Sequence, residues 1–180
     1  MKTIRFNFVS RVRTFFTITA IIFAICLSNG NYSYAQITKT VGTAGDYTTL
    51  GAAFDAINSG SVTGAITLQI ISSITETGTD SLIAGGSGLA SYSSVLIYPT
   101  GSGYTISGNI TAPLIALNGA DNVTIDGRVN QTGSKDLIIT NTSNSSIAGT
   151  STVRFINDAT YNTIKYCTIK GSTTDLTDGV

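Results

Sequence analysis

Histidine and tryptophan are missing from this 180-residue chain, proline occurs only twice, and 11% of the residues are charged. Each shortage excludes something. Serine, cysteine and metal mechanisms that depend on an imidazole have no residue to work with. Low charge beside 42% hydrophobic residues argues against disorder, which requires high charge and few apolar side chains. Proline is nearly absent, whereas Gly, Ser, Thr and Asn are abundant between short aliphatic runs. The length suits one domain.

The formal net charge of zero conceals an asymmetry. Four of the ten basic residues, Lys2, Arg5, Arg11 and Arg13, lie in the first 35 residues, which hold no acidic ones. The remainder carries six basic residues against ten acidic, a net of −4. A mildly acidic chain without basic clusters is a poor binder of nucleic acid, and none is expected as a partner. The N-terminal stretch has the three parts of a secretory signal: a basic start, the apolar run "FFTITAIIFAICL" from Phe15 to Leu27, and a polar end "SYA" with small residues at Ser33 and Ala35. The apolar run falls short of the roughly 20 residues that span a bilayer, so cleavage before Gln36 is favoured over a retained anchor. Bulky Ile25 disfavours lipidation of Cys26. Cleavage leaves Cys167 alone, with no internal disulfide, and an exported chain without a membrane span. Residues 1–35 are thus expected as signal peptide, 36–64 as an N-terminal segment with a capping helix, and 65–180 as the body.

That body reads as short strands. "ITLQI" (Ile66 to Ile70) alternates as a half-buried strand does, and "VLIYP", "YTISG", "LIALN", "NVTIDG", "DLIIT", "VRFIN" and "NTIKYCTIKG" are further candidates bounded by turn residues. The segment "LNGADNVTID" (Leu117 to Asp126) aligns without gaps on "INDATYNTIK" (Ile156 to Lys165), and in each an isoleucine follows the aliphatic anchor by eight residues. Taking Tyr98, Leu117, Ile139 and Ile156 as anchors gives a mean step of about 19, the range of a β-solenoid whose like positions stack from coil to coil. Aliphatics would form ladders inside, while Asn, Thr and Ser would satisfy backbone groups at the corners. The eight-residue internal step does not suit the left-handed hexapeptide type. The expected fold is an all-β, right-handed parallel β-helix; a β-sandwich comes second, since it would not produce a gapless repeat 39 residues apart.

One stretch is different. In "VGTAGDYTTLGAAFDAIN", Leu50, Ala53, Phe54 and Ile57 fall on one face of a helix. Thr48 or Thr49 can supply the N-cap, with Asp46 near the positive end of the dipole, and Asn58 to Gly60 stop the helix. About ten residues would not hold a helix alone in water. The segment must therefore dock on something apolar, and a solenoid offers such a surface at its open first coil.

"GDYTTLGAAFDAIN" resembles the opening of pectin methylesterases and other pectin-lyase-like β-helix proteins, where a G-D-Y-x-T-[LVI]-x-x-A-[IF]-x-A segment leads into the capping helix. "NTIKYCTIKGS" is similar to the Asn-x-Ile…Cys-x-Ile coil of that superfamily, which implies that Cys167 is a core residue on a stacked ladder and that Tyr166 replaces a polar corner residue. The resemblance extends from Val41 to about Gly171. It also points to the large β-helix surface proteins that Gram-negative bacteria export with a C-terminal sorting domain; no such domain occurs here, and "TDLTDGV" reads as the middle of a coil, so a longer protein is expected. The family's catalytic signatures do not accompany the fold. The G-x-x-D-F-I-F-G segment of the esterases, the N-T-D, D-D, G-H-G and R-I-K motifs of polygalacturonases, and the W-x-D-H and R-x-P-x-x-R motifs of pectate lyases have no counterpart.

Catalysis by paired carboxylates would still be open to such a chain. The best cluster is Asp121, Asp126 and Arg128, with Asp158 one repeat on, read either as an acidic sugar- or calcium-binding strip or as turn chemistry, which the "IDGR" context favours. Glycine-rich "AGGSGLAS" and "PTGSG" lack the Lys-Ser/Thr of a phosphate loop and read as corners. Tyr92, Tyr98, Tyr104, Tyr161 and Tyr166 could stack on sugar rings or merely populate strands. No catalytic, cofactor-binding or metal-ligating residue and no cofactor is assigned. Two functions are expected from these residues: an exported, non-catalytic scaffold, adhesin-like or structural, with polysaccharide or cell-surface glycan as the partner class; or the N-terminal part of a pectin-type polysaccharide lyase or esterase with its catalytic coils further along.

Overall fold

The computed structural model describes residues 36–172, so the signal segment of residues 1–35 and the stretch "TDLTDGV" lie outside the described residues. Strand β1 (Ile37–Val41) leads to helix α1 (Leu50–Asn58). Three coils of three strands follow: β2 (Gly64–Ile70), β3 (Ile74–Glu76) and β4 (Asp80–Ile83); β5 (Tyr92–Pro99), β6 (Thr105–Gly108) and β7 (Pro113–Asn118); β8 (Val123–Asp126), β9 (Ile138–Asn141) and β10 (Ser151–Ile156). A fourth coil contributes β11 (Thr163–Lys165) and β12 (Thr168–Gly171). The strands stack in three sheets, ordered β1-β2-β5-β8-β11, β3-β6-β9-β12 and β4-β7-β10, and all the pairings between them are parallel. The chain is therefore a parallel β-helix with one short capping helix. Among the described residues, no helix is long and apolar enough to cross a membrane.

Stacking puts like side chains on like. Leu68, Ile97, Ile125 and Ile164 form one ladder on the first sheet, and Ile74, Ile106, Ile139 and Ile169 another on the second. On the third sheet Leu82, Leu117 and Phe155 are in register. The expected strand and turn chemistry is correct, but the step of about 19 is not the coil. Coils run from 28 residues (Val95 to Val123) to 39 (Ile125 to Ile164). Tyr98 lies on the first sheet, Leu117 and Ile156 on the third and Ile139 on the second, so steps near 19 cross from one face to another. Ile147, which follows the Ile139 anchor by the same eight residues, is exposed in a loop. The gapless repeat at 39 residues is a true coil-to-coil relation. Thr124 pairs with Thr163, Asn118 Oδ1 accepts from Asn157 Nδ2 at 2.6 Å, and Asn162 Oδ1 accepts from the Val123 N–H at 2.9 Å. Only Ile156 departs from the alignment: it faces Asn118, one position out of step, and Phe155 takes the place opposite Leu117.

Helix α1 is a lid. Leu50, Ala53, Phe54 and Ile57 are buried, and burying a side chain of this size contributes about 1.5–3 kcal/mol, which a nine-residue helix requires since it is not stable alone. The helix packs against β4, the open edge of the third sheet. Asn58 satisfies that edge from above: its Nδ2 donates to the Ser81 carbonyl at 2.8 Å and its Oδ1 accepts from the Ile83 N–H at 3.1 Å. Thr49 is the N-cap, accepting from the Ala52 N–H at 3.1 Å. Asp46 binds the Thr40 N–H and hydroxyl at 2.8 Å each, holding the turn after β1.

Candidate functional site

Asp121, Asp126, Arg128 and Asp158 do not converge on one surface. Asp121 lies in the corner between β7 and β8, where one oxygen accepts from both the N–H and the hydroxyl of Thr160 at 2.6 Å. Those bonds hold its carboxyl below the usual range. Asp158 sits in a left-handed turn after β10 (φ 60°). Only Asp126 and Arg128 meet. Asp126 ends β8 with its side chain 1% exposed; Arg128 Nε donates to Oδ1 at 2.9 Å and Nη2 to Oδ2 at 2.6 Å. Lys165, its register partner on the next coil, lies 3.4 Å from Oδ2. The Arg128 hydrogen bonds above all, against the opposing effect of burial, lower the Asp126 carboxyl to about 2. A carboxylate with both oxygens engaged by cations, and so weak a base, is suited to tying two coils together rather than to moving protons.

The same corner explains its neighbours. The Arg128 guanidinium lies 4.3 Å from the Tyr166 ring centroid, a cation–π contact that holds the aromatic ring in place on the last coil. Tyr166 takes a left-handed backbone (φ 54°) directly beside Gly127, where any Cβ would run into the Tyr166 carbonyl oxygen. Cys167 packs partly against the core, and burial first, then the nearby Asp126 charge, raises its thiol to about 11. It is a partly buried thiol of low reactivity.

The tyrosines do not share a platform. Tyr92 is buried and donates to the Ile83 carbonyl at 2.6 Å, and Tyr98 receives the Gln69 amide at 2.7 Å. Tyr161 and Tyr166 are exposed, on the fourth coil.

The most unusual polar group went unsuspected in the sequence. Under the N-terminus of α1, a cavity of about 250 Å³ is lined by Thr49, Gly51, Asp55, Glu76, Thr79 and Asp80, among others. Asp80 is 2% exposed and Glu76 4%, although both come from the turn-like stretch "ITETGTD". Asp80 pairs with Ile115, which pairs with Val153, so a carboxyl heads an otherwise apolar ladder. Glu76 heads the stack of Gly108, Asn141 and Gly171. Glu76 Oε1 accepts from the Leu50 N–H at 2.7 Å and Oε2 from the Gly51 N–H at 3.4 Å, so a side chain from the first coil satisfies two amides that open the lid helix. Asp80 Oδ2 has no hydrogen-bond partner. Burial first, then the nearby charge of Glu76, pushes the Asp80 carboxyl up to about 9. Gly51 makes the fit possible: a Cβ there would lie 2.6 Å from Asp80 Oδ1. No turn-based reading separates these two acids from corner carboxylates; the only available signal is their pairing with interior positions, which requires the register.

Among the described residues, no group of three or more His, Cys, Asp or Glu side chains is arranged to hold a metal ion. No protein-family profile, curated protein or solved structure compared with the chain matches it.

Proposed function

We propose that the chain is an exported, non-catalytic β-helix scaffold, an adhesin-like or structural portion of a larger surface protein, wound right-handed as parallel crossovers nearly always are and related in architecture to pectin-lyase-like proteins. Its partner class would be a polysaccharide or cell-surface glycan. The observation that carries the reading is the contrast between a roofed first coil and the opposite end of the solenoid, where ladder residues stay open, Phe155 of the third coil 48% and Ile169 of the fourth 49% exposed. Such a surface is suited to receive further stacked coils. Asp121 and Asp126 act as corner ties, which suits a scaffold.

The test is to fractionate cells that produce the chain and to assay the exported form. The expected result is an intact mass beginning at Gln36, with no unsaturated products, methanol or new reducing ends released from pectin or polygalacturonate. Release of any of these would move the chain to the alternative, the front of a carbohydrate-active enzyme. Retention of residues 1–35 in a cytoplasmic product would overturn export.

A further inference from the structure

We propose that the Asp80 carboxyl keeps its proton beneath helix α1 and donates it to Glu76, and that this proton latches the lid onto the first coil so that alkaline conditions release it. Several observations meet here. Asp80 occupies a core position of the third sheet, its Oδ2 is buried without a partner, and the two carboxyls close on one point at Gly51, where a Cβ would lie 2.6 Å from Asp80 Oδ1 and 3.5 Å from Glu76 Oε2. Two ionised carboxylates so placed would repel in a poorly solvated site, whereas one proton turns the repulsion into a hydrogen bond from Asp80 to Glu76. Glu76 in turn accepts the Leu50 and Gly51 amides, so the proton, the two acids and the helix N-terminus form one chain of contacts.

The surrounding groups leave Asp80 no counter-ion. From α1 it faces Asp55, a further negative charge, and from β3 Glu76; its strand partner β7, "PLIALN", carries no titratable residue. A divalent cation would be the rival occupant, but these side chains do not form a group arranged to hold a metal. When the latch opens, the proton passes to solvent and two charges remain under the helix end.

The sign follows from linkage. The folded-state value of Asp80 lies above its unfolded value, so the contribution is complete below about pH 4 and declines as pH rises toward the folded value. The experiment is amide exchange of the full chain as a function of pH, corrected for intrinsic rates. Protection of the Leu50 and Gly51 amides should fall with rising pH by up to about tenfold per unit, the limit for one proton, while Ile139 in mid-solenoid changes little. Asp80→Asn, which keeps a donor to Glu76 but cannot titrate, should remove that pH dependence. An unchanged dependence in this variant would overturn the latch. So would restoration of protection at high pH by millimolar calcium, which would make the pair a cation site. In the wild-type chain, carbon-13 titration of the Asp80 carboxyl gives an independent reading: a midpoint far above about 4 supports the latch, and one near 4 refutes it.

Discussion

The two ends of the solenoid are made of the same kinds of residue and differ in what lies over them. At the first coil Ile74 and Leu82 are buried, and helix α1 covers the edge of β4. At the other end Ile169 of the fourth coil, on the same ladder as Ile74, is half exposed, and so is Phe155 of the third coil, in register with Leu117. The burial of a ladder residue is thus a property of the neighbouring coil as much as of its own side chain. The lid has a second consequence. By closing an apolar cross-section it also encloses acidic side chains, and Asp80 loses water in a way that Asp126, engaged by Arg128 and Lys165, is compensated for.

The largest effect should come from the lid itself. Phe54→Asp places a charge where a fully buried aromatic sits, and should cost about 4 kcal/mol or more in urea denaturation. A variant as stable as the parent chain would remove the distinction between a capped and an open end. A sharper comparison uses two rungs of one ladder. Ile106→Ala should cost about 2–5 kcal/mol, whereas Ile169→Ala should cost about 1 kcal/mol or less, since half of that side chain is already in water. Equal losses at both positions would mean that the fourth coil is covered in solution.

The smallest effect expected concerns acid, and it opposes the alkaline response at the lid. Asp126 has a folded-state value below its unfolded one, so its contribution is complete above about pH 4 and is lost as pH falls through about 2. Screening of Arg128 and Lys165 by solvent limits it to the order of 1 kcal/mol. Asp126→Asn should flatten the loss of stability between pH 4 and pH 2, measured by thermal unfolding; an unaltered acid profile would show that the corner tie contributes nothing.

Much of this was legible in the residues. The spacing of Leu50, Ala53, Phe54 and Ile57 defined a helix whose buried face is the one observed. The repeat at 39 residues located a true coil contact through Asn118, Asn157 and Asn162. The "IDGR" turn reading anticipated that Asp126 would serve its own corner, where it accepts from the Arg128 N–H. Coil length was not legible, because anchors on different sheets look alike in sequence, and Leu117 and Ile139 give no sign of which face each occupies.

By itself, then, the sequence determined the local grammar: which runs are strands, where helix α1 lies, and that Asn, Gly, Ser and Thr turn the chain. Side-chain alternation, helical periodicity and turn chemistry act over a few residues and are written there. Tertiary structure decided the register of one coil on the next, and with it the fate of individual side chains. The connection between β3 and β4 is three residues long (77–79), while that between β9 and β10 spans 142–150, so no fixed period survives. Only the stacking of β4 on β7 puts Asp80 above Ile115 rather than in water, because parallel pairing joins residues some thirty positions apart through hydrogen bonds that no local pattern records.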